Sequence, residues 1–293
     1  MRVIVTGGSG RIGRYVVREL VRAGHEVTNA DVVYERVLGV RSQQVDLTEA
    51  GQVYQLLAQA RAEAVVHLAA WAQSGRVPEA RTFGDNVQGT FNLFQACADL
   101  GVRRVVFAST HHVYGVIAAP PLYAPIDEAH PLRPADAYAL SKLVGERAAD
   151  YFVARYGLEI LCFRFLGVRP PSQLDAEVER IAHDPFERPH LLWTRLDARD
   201  GAVYCRLAVE AATVEPGPYN ITGHWIVLER DSAELVRQHF GGQVEVRDGL
   251  IGRLSPLSCT RAENVFGYCP QYNWSVNQRY AETPRDGAAS VAP

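Results

Sequence analysis

The chain has 293 residues, of which 47% are hydrophobic, and a formal net charge of −3. This composition suffices for one large α/β domain with a smaller lobe, and the slightly acidic balance argues against a nucleic acid as principal partner. No apolar run approaches the roughly 18 residues of a membrane-spanning helix and the N-terminus has no signal-type region, so we expect a cytoplasmic protein without a membrane partner.

The first 20 residues have the pattern of a strand, a glycine-rich turn and a helix. Val3 to Val5 are apolar and β-branched, as in a buried parallel strand, and residues 12–20 carry an apolar helical stripe. Three glycines between them, at three-residue spacing, let a pyrophosphate approach the backbone at a helix N-terminus. The stretch predicts a dinucleotide site with contacts from Gly7, Gly10, Arg11, Ile12 and Gly13.

The second strand is predicted at 25–31 and ends in Asp31. A carboxylate at this place binds the adenosine ribose hydroxyls and repels a 2′-phosphate, which favours NAD over NADP. An ordinary turn residue is the alternative for Asp31, and the nearby Arg36 leaves NADP open. A short third strand at 45–47 and a helix at 48–62 are predicted next.

A continuous apolar run at 64–70 is typical of a buried parallel strand. It ends in small residues against which a cofactor can lie, so cofactor contacts are predicted at Leu68, Ala69 and Ala70. His67 is interpreted as a core histidine. A loop over the active site is predicted at 71–82, with candidate substrate contacts at Gln73 and Ser74, and a long helix at 83–100.

A fifth strand at 102–108 completes five alternating strand and helix units, which predict a doubly wound parallel sheet. Ser109 and Thr110 follow this strand, and Tyr138 and Lys142 come further along the chain. Four-residue spacing puts Tyr138 and Lys142 on one helical face, where an ammonium can stabilise a phenolate. The pattern therefore predicts a tyrosine acid/base, and a surface pair at helical spacing is the alternative.

These motifs together resemble the extended short-chain dehydrogenases/reductases, also described as the NAD-dependent epimerase/dehydratase family. The resemblance rests on TGGSGRIG at 6–13, NVQGTFNL at 86–93, ASTHHVYG at 108–115 and YALSK at 138–142. It implies a Rossmann-like fold, NAD as cofactor, a sugar or sugar derivative as substrate, and a homodimer. It also implies adenine contacts from Asp46 and Leu47, with helix capping as the alternative for Asp46.

The resemblance assigns catalytic roles to four residues. Tyr138 is implied as general acid/base, and Lys142 as the group that stabilises its phenolate and binds the nicotinamide ribose. Thr110 is implied as hydroxyl donor to the substrate oxygen. Asn86 matches the helix asparagine at the family's fourth catalytic position.

Departures from the family bear on the substrate. Gly167 stands where nucleotide-sugar enzymes have an asparagine that touches the substrate. The strand end at 108–112 is similar to that of uronate dehydrogenases, which makes His111 and His112 candidate substrate contacts, although a solvated loop histidine is the alternative for His112. Arg195, in the place of a usual aromatic residue, is a further candidate.

The expected organisation is an NAD-binding domain at 1–166, a small substrate lobe at 167–281 and a disordered tail at 282–293. Residues 190–213 are expected to return from the lobe to the main sheet. The five cysteines are scattered and never spaced as CxxC, so we expect free thiols and neither a disulfide framework nor a metal site.

The favoured hypothesis is an NAD-dependent sugar-modifying enzyme that acts by hydride transfer at a carbinol carbon, either as a sugar or uronate dehydrogenase or as a sugar epimerase. A nucleotide-sugar 4-epimerase such as UDP-glucose 4-epimerase is the alternative, dehydration ranks last, and a non-catalytic NAD-sensing protein is the alternative of another class. A homodimer contact is expected on the helices at 83–100 and 138–156, unless its apolar residues pack within the chain. These residues are Phe91, Leu93, Phe94, Leu143, Val144, Tyr151, Phe152 and Val153.

Overall fold

The computed structural model describes residues 1–35, 37, 39–73 and 75–280. Within these ranges no helix has the length and apolar character needed to cross a membrane. Three sequence predictions lie outside the described residues, namely those for Arg36, Ser74 and the tail at 282–293.

Strands and helices alternate along the first half of the described chain. The strands are β1 Arg2–Thr6, β2 Glu26–Asp31, β3 Arg41–Gln44, β4 Ala64–His67, β5 Arg104–Thr110, β6 Tyr123–Ala124, β7 Glu159–Phe165, β8 Val168–Arg169, β9 Leu196–Asp197, β10 Gly217–Ile221 and β11 Glu245–Val246. The α-helices are α1 Gly13–Arg22, α2 Ala50–Ala60, α3 Glu79–Leu100, α4 Ala137–Tyr156, α5 Pro171–His183, α6 Ala198–Glu210, α7 Ser232–Phe240 and α8 Thr260–Phe266. Short 3-10 helices lie at His111–Tyr114, Pro189–Leu191 and Gly241–Gln243.

Seven strands form one parallel sheet in the spatial order β10-β7-β5-β4-β1-β2-β3. Apolar side chains on both faces are buried, under α1 and α6 on one side and under α2, α3 and α4 on the other. The predicted doubly wound, Rossmann-like α/β fold is therefore confirmed. Its parallel register brings the ends of β1, β4, β5 and β7 to one edge, where Thr6 pairs with His67 and Thr110 with Phe165.

A second hydrophobic core lies beyond this edge, in segments that follow β5 and β7. It contains Tyr114, Trp193 and apolar residues of α5 and α7. Two small sheets, β6 with β11 and β8 with β9, accompany it. These segments stand beside the end of the main sheet and so border the same edge.

Several predicted boundaries are wrong. The third strand is the polar stretch Arg41–Gln44 and not 45–47, because an edge strand needs little apolar surface; Val45 is instead buried beside α2. The helix α3 begins at Glu79, directly after Pro78, and not at residue 83.

Two further expectations are corrected by the packing. The strand β10, assigned from the sequence to the lobe at 167–281, is the edge strand of the main sheet and pairs with β7. Among the residues expected on a dimer face, Leu93, Phe94 and Phe152 are buried in the chain's own core. Phe91 and Tyr151 are exposed.

Candidate active site

A cavity of about 850 Å³ opens at the edge where β1, β4, β5 and β7 end. This volume is typical of small-molecule sites. The cavity brings together nearly all predicted site residues that the structure describes, since it is lined by Gly7, Gly10, Arg11, Ile12, Gly13, Asp31, Asp46, Leu47, Leu68, Ala69, Ala70, Gln73, Asn86, Thr110, His111, His112, Tyr138 and Lys142.

The glycine turn at one end of the cavity is shaped by three different constraints. Gly7 has φ +70°, and a Cβ there would lie 2.7 Å from the backbone nitrogen of Ala69. A Cβ on Gly13 would collide with the Gly7 carbonyl oxygen, so glycine is needed for α1 to pack on the turn. Gly10 meets only that oxygen, at 3.0 Å, and otherwise faces open space. No described side chain caps the N-terminus of α1, so its amides can bind an anion.

Asp31 and Asp46, the two acidic candidates at this end of the cavity, accept hydrogen bonds from different parts of the chain. Asp31 accepts hydrogen bonds from the backbone amides of Ser9 at 3.2 Å and Val33 at 3.3 Å, and so supports the glycine turn while lining the cavity. Asp46 accepts from the amide of Thr48 at 2.9 Å and from its hydroxyl at 2.7 Å. Asp46 thus closes a turn ahead of α2 and does not cap that helix, whose N-cap residue Glu49 makes no side-chain cap hydrogen bond. Asp46 also lines the cavity.

The hydroxyl-bearing residues meet at the other end of the cavity. Thr110 is the last residue of β5, and Tyr138 lies in the first turn of α4. Both line the cavity, and the Thr110 hydroxyl acts to lower the pKa of Tyr138. Asp136 begins this helix by accepting a hydrogen bond from the Ala139 amide at 2.7 Å. Lys142 follows one turn later, with its Nζ 5.9 Å from the centre of the Tyr138 ring.

Burial dominates the protonation of this group. It raises the pKa of Tyr138 to about 12, against the opposing effect of the Thr110 hydroxyl, and lowers the pKa of Lys142 to about 7. The sequence predicts that the Lys142 ammonium lowers the pKa of Tyr138. In the structure the positive charge that acts in this direction on Tyr138 is that of Arg11.

Asn86 holds the wall of the cavity together. Its Oδ1 accepts from the Trp71 amide at 2.8 Å, and its Nδ2 donates to the Trp71 carbonyl at 3.2 Å and to the Ser141 hydroxyl at 3.0 Å. The side chain thus joins the loop after β4 to α4 beside Lys142. These contacts are those of a positioning residue, in contrast to the catalytic role implied by the resemblance.

The histidines fall into two groups. His67 is buried between the hydroxyls of Thr6 at 2.7 Å and Thr90 at 3.1 Å, which confirms a core histidine. His111 lies 3.2 Å from the Phe165 carbonyl through Nδ1. Because a carbonyl only accepts, we assign the proton to Nδ1, which leaves Nε2 of His111 as an acceptor.

His112 lies between His111 and the tyrosine, with its ring centre 6.0 Å from that of Tyr138. Its buried Nδ1 makes no hydrogen bond with any described residue, and the Asp136 carboxylate is 3.8 Å away. The ring of His190 is 6.2 Å from His112 on the lobe side. Sequence reasoning missed His190, because no local pattern links it to the strand end at 108–112.

Arg195 does not line the cavity, so the prediction that it contacts the substrate is wrong. It is buried, donates to Glu177 at 2.8 Å and to the Thr194 carbonyl at 2.8 Å. Glu177 also contacts Arg169 at 3.5 Å, and Arg169 does line the cavity. The sequence signal for Arg169 was its place just after the end of β7.

Arg11 and Arg169 line the cavity, as do the carboxylates of Asp31, Asp46, Asp85 and Asp136, and Glu177 pairs with Arg169. Burial first, and then the repulsion of Arg169 and Arg76, lower the pKa of Arg11. A guanidinium stays protonated in proteins, so this lowered pKa reports the cost of burying the Arg11 charge. An anion bound beside Arg11 would offset that cost.

The model of the NAD dependent epimerase/dehydratase family matches residues 3–221. A UDP-glucose 4-epimerase of Lactobacillus helveticus is 31% identical over 66% of this chain and 59% of its own length. A uronate dehydrogenase of Pseudomonas syringae pv. tomato is 31% identical over 59% of this chain and 61% of its own length. The chain thus spans about three fifths of these relatives.

Solved structures share the fold. A UDP-glucose 4-epimerase of Thermotoga maritima with UDP-glucose has a TM-score of 0.69 at 22% identity, with 92% of this chain and 94% of that chain covered. A short-chain dehydrogenase/reductase superfamily protein of Agrobacterium tumefaciens with bound NAD has a TM-score of 0.69 at 24% identity, with 92% of each chain covered.

Proposed function

Because the chain belongs to the NAD dependent epimerase/dehydratase family, we propose that it is an NAD-dependent enzyme that acts on a carbinol carbon of a sugar or sugar derivative. The observation that carries this proposal is the placement of Thr110 and Tyr138 on the wall of one cavity, with the Lys142 Nζ 5.9 Å from the centre of the Tyr138 ring. Two hydroxyls at one point can hold a substrate oxygen and exchange its proton.

The glycine end of the cavity fits a dinucleotide. Open space in front of Gly10 and the uncapped start of α1 suit a pyrophosphate, and Asp31 suits ribose hydroxyls. The same carboxylate repels a 2′-phosphate, so we propose NAD rather than NADP. When bound, the nicotinamide supplies the hydride-transfer chemistry.

The protein's own residues manage the proton. Thr110 holds the substrate oxygen, and Tyr138 takes the hydroxyl proton during oxidation and returns it during reduction. Arg11 supplies the positive charge that favours the phenolate of Tyr138, and Lys142 lies beside the tyrosine ring. The Lys142 pKa of about 7 lets this amine pass between charged and neutral forms near neutral pH.

We propose oxidation of an acidic sugar, such as a free uronate, as the reaction. Arg11 and Arg169 favour an anion in the cavity, and His112 lines the same cavity. The position of Gly167 supports a free sugar, since a Cβ there would lie 3.1 Å from the Thr194 carbonyl oxygen and 3.2 Å from Arg195. This backbone leaves little room for an asparagine that would contact a nucleotide sugar.

The second candidate is a nucleotide-sugar 4-epimerase, which the similarity to the epimerase of Lactobacillus helveticus favours. A diphosphate is also an anion, so Arg11 and Arg169 are compatible with it. The two reactions differ in whether NADH is released.

The test incubates the protein with NAD and a panel of free uronates, aldoses, and UDP- and GDP-sugars, and follows NADH absorbance and product sugar together. We expect net NADH with a uronate. Conversion of a UDP-sugar without net NADH would replace this reaction by the second candidate. Tyr138→Phe separates enzyme from NAD-sensing protein, because it should bind NAD as the wild type does while turnover is lost.

The wider organisation is also proposed here. We propose that 1–166 with the returning segments through β10 binds the cofactor, and that the second core closes over the substrate. A homodimer through α3 and α4 and a cytoplasmic location complete the proposal.

A further inference from the structure

A second cluster of chemically active side chains lies outside the cavity, where β10, α8 and the segment after α8 meet. Nδ1 of His224 is 2.7 Å from the Glu263 carboxylate, and the Cys259 thiol donates to the same oxygen at 3.1 Å. The possible ligand atoms of His224, Cys259 and Glu263 all lie within 4.8 Å of one another. Among the described residues, these three form the group of His, Cys, Asp or Glu side chains that is close enough to hold a metal ion. Cys269 lies outside this group of three, and its thiol acts with His224 and Cys259 to lower the pKa of the Glu263 carboxyl.

We propose that His224, Cys259, Glu263 and Cys269 form a structural zinc site. Two sulfurs, one imidazole nitrogen and one carboxylate oxygen are a donor set that suits Zn²⁺, whereas Mg²⁺ and Ca²⁺ prefer oxygen alone. Zinc bonds of about 2.0 to 2.3 Å need ligand atoms roughly 3.5 Å apart. The three mutually close atoms therefore need only small side-chain rotations around an ion.

The competing interpretation is a hydrogen-bonded group centred on Glu263. Thiols are weak hydrogen-bond donors, so placing two of them beside one carboxylate stabilises such a group little. A zinc ion would bind both sulfurs as thiolates and release their protons to solvent. The converging cysteines are thus better explained by a metal.

The position of the cluster indicates a structural role. Four protein ligands would close a tetrahedral site, whereas catalytic zinc keeps a position open. None of the four residues lines the cavity. The ion would join the loop after β10 to both ends of α8, at the edge of the main sheet. Spacing along the sequence does not reveal this site, because the ligands come from separate segments.

The test uses the full chain, purified without a metal-binding tag. Elemental analysis should find about one zinc per chain, and Co²⁺ added after chelator treatment should give thiolate-to-cobalt charge transfer and the intense visible bands of tetrahedral cobalt. Cys259→Ser and Cys269→Ser should weaken zinc binding by roughly a hundredfold or more, since changes beyond the ligands already cost 10 to 100-fold. Cys205→Ala is the matched control, because Cys205 is a buried thiol in α6.

A chelator should lower the melting temperature of the wild type and of Cys205→Ala, and leave that of Cys259→Ser unchanged. If a serine variant does not fold, the wild-type cobalt spectrum decides alone. The proposal is overturned by wild-type protein without stoichiometric zinc and without the charge-transfer band, or by equal zinc loss in Cys205→Ala.

Discussion

Asn86 donates a hydrogen bond from Nδ2 to the Ser141 hydroxyl over 3.0 Å, and Ser141 immediately precedes Lys142 on α4. The same amide binds both backbone groups of Trp71. One side chain therefore fixes the cavity loop and the catalytic helix relative to each other. A residue of this kind acts through the position of Tyr138 and Lys142 and need not touch the substrate.

Asn86→Ala should lower kcat more than it raises KM, because the catalytic helix loses its register while the anion-binding arginines stay in place. We expect a loss of roughly tenfold to a hundredfold, as for other small misplacements of reacting groups. Steady-state kinetics at several substrate concentrations measure the split. Gln88→Ala, an exposed change on the same helix, should leave both parameters unchanged, and a purely raised KM would contradict the positioning role.

Gly10→Val should abolish NAD binding and leave the fold intact. The added side chain meets the Gly7 carbonyl oxygen at 3.0 Å and otherwise projects into the space proposed for the pyrophosphate. Calorimetric titration with NAD and a circular dichroism spectrum separate the two effects. Gly51→Val is the control, since nothing lies within 4 Å of a Cβ at that position in α2. Unchanged NAD affinity in Gly10→Val would move the cofactor elsewhere.

Lys142→Met should change how stability depends on pH. Burial lowers the pKa of Lys142 from 10.5 to about 7. Between these values the unfolded chain binds a proton on this amine that the folded chain lacks, so the free energy of unfolding rises with pH. Below pH 7 the amine is charged in both states, and its contribution is constant and unfavourable.

The free energy of unfolding of Lys142→Met should therefore exceed that of the wild type by most near pH 6. This difference should shrink by at most about 1.4 kcal/mol per pH unit up to pH 9. Urea unfolding of both proteins across this range measures the difference. The window avoids His67, whose pKa burial lowers to about 3, and Tyr138, whose pKa burial raises to about 12. A constant difference from pH 6 to 9 would show that Lys142 keeps an ordinary pKa.

A buried ion pair connects β7 to α4, the helix that carries Tyr138 and Lys142. Arg164 on β7 contacts Glu146 on α4 through two hydrogen bonds, at 2.6 and 2.9 Å, and Ser109 donates to the same carboxylate at 2.6 Å. Glu146→Leu would leave the Arg164 charge buried without its partner, which costs about 3 to 5 kcal/mol. Chemical denaturation should report this loss, and the double variant Glu146→Leu/Arg164→Leu should recover much of it. If the double variant loses as much free energy of unfolding as Glu146→Leu alone, the effect comes from packing and not from the unpaired charge.

The sequence predicted those parts of the site that lie in local patterns. The glycine spacing and the four-residue step from Tyr138 to Lys142 are set within one turn or one helix, and the structure brings both to one cavity. The link between Arg169 and Arg195 through Glu177, and the cluster around Glu263, depend on side chains from distant segments. Periodicity carries no information about such contacts.

The same reasoning explains the misplaced strand. Val45 and Leu47 predict a strand at 45–47 through their apolar side chains, but Val45 is buried beside α2 and the edge strand β3 is polar. This error does not affect the predicted site, because Asp46 and Leu47 still line the cavity. The sequence predicts the site residues at the glycine turn and at the strand ends better than it predicts where strands and helices begin and end.

The proposed homodimer leads to a prediction about three exposed aromatic residues. Phe91 on α3 and Tyr151 and Tyr156 on α4 are 43%, 50% and 41% exposed, and their rings lie 5.4, 5.2 and 5.5 Å from that of the buried Phe152. They form one apolar patch across two packed helices, as in an isologous two-fold contact. Light scattering of the wild type should return about twice 32.4 kDa.

Tyr151→Glu should give a monomer, because a charge at the centre of an apolar contact is not solvated there. A charge at Phe152 would not test the dimer, since that side chain is 0% exposed within one chain and its loss would unfold the core. Ile251→Glu is the control, as Ile251 is 65% exposed and far along the chain from both helices. A monomeric wild type would refute the dimer. Tyr151 does not line the cavity, so the Tyr151→Glu monomer should still bind NAD with wild-type affinity.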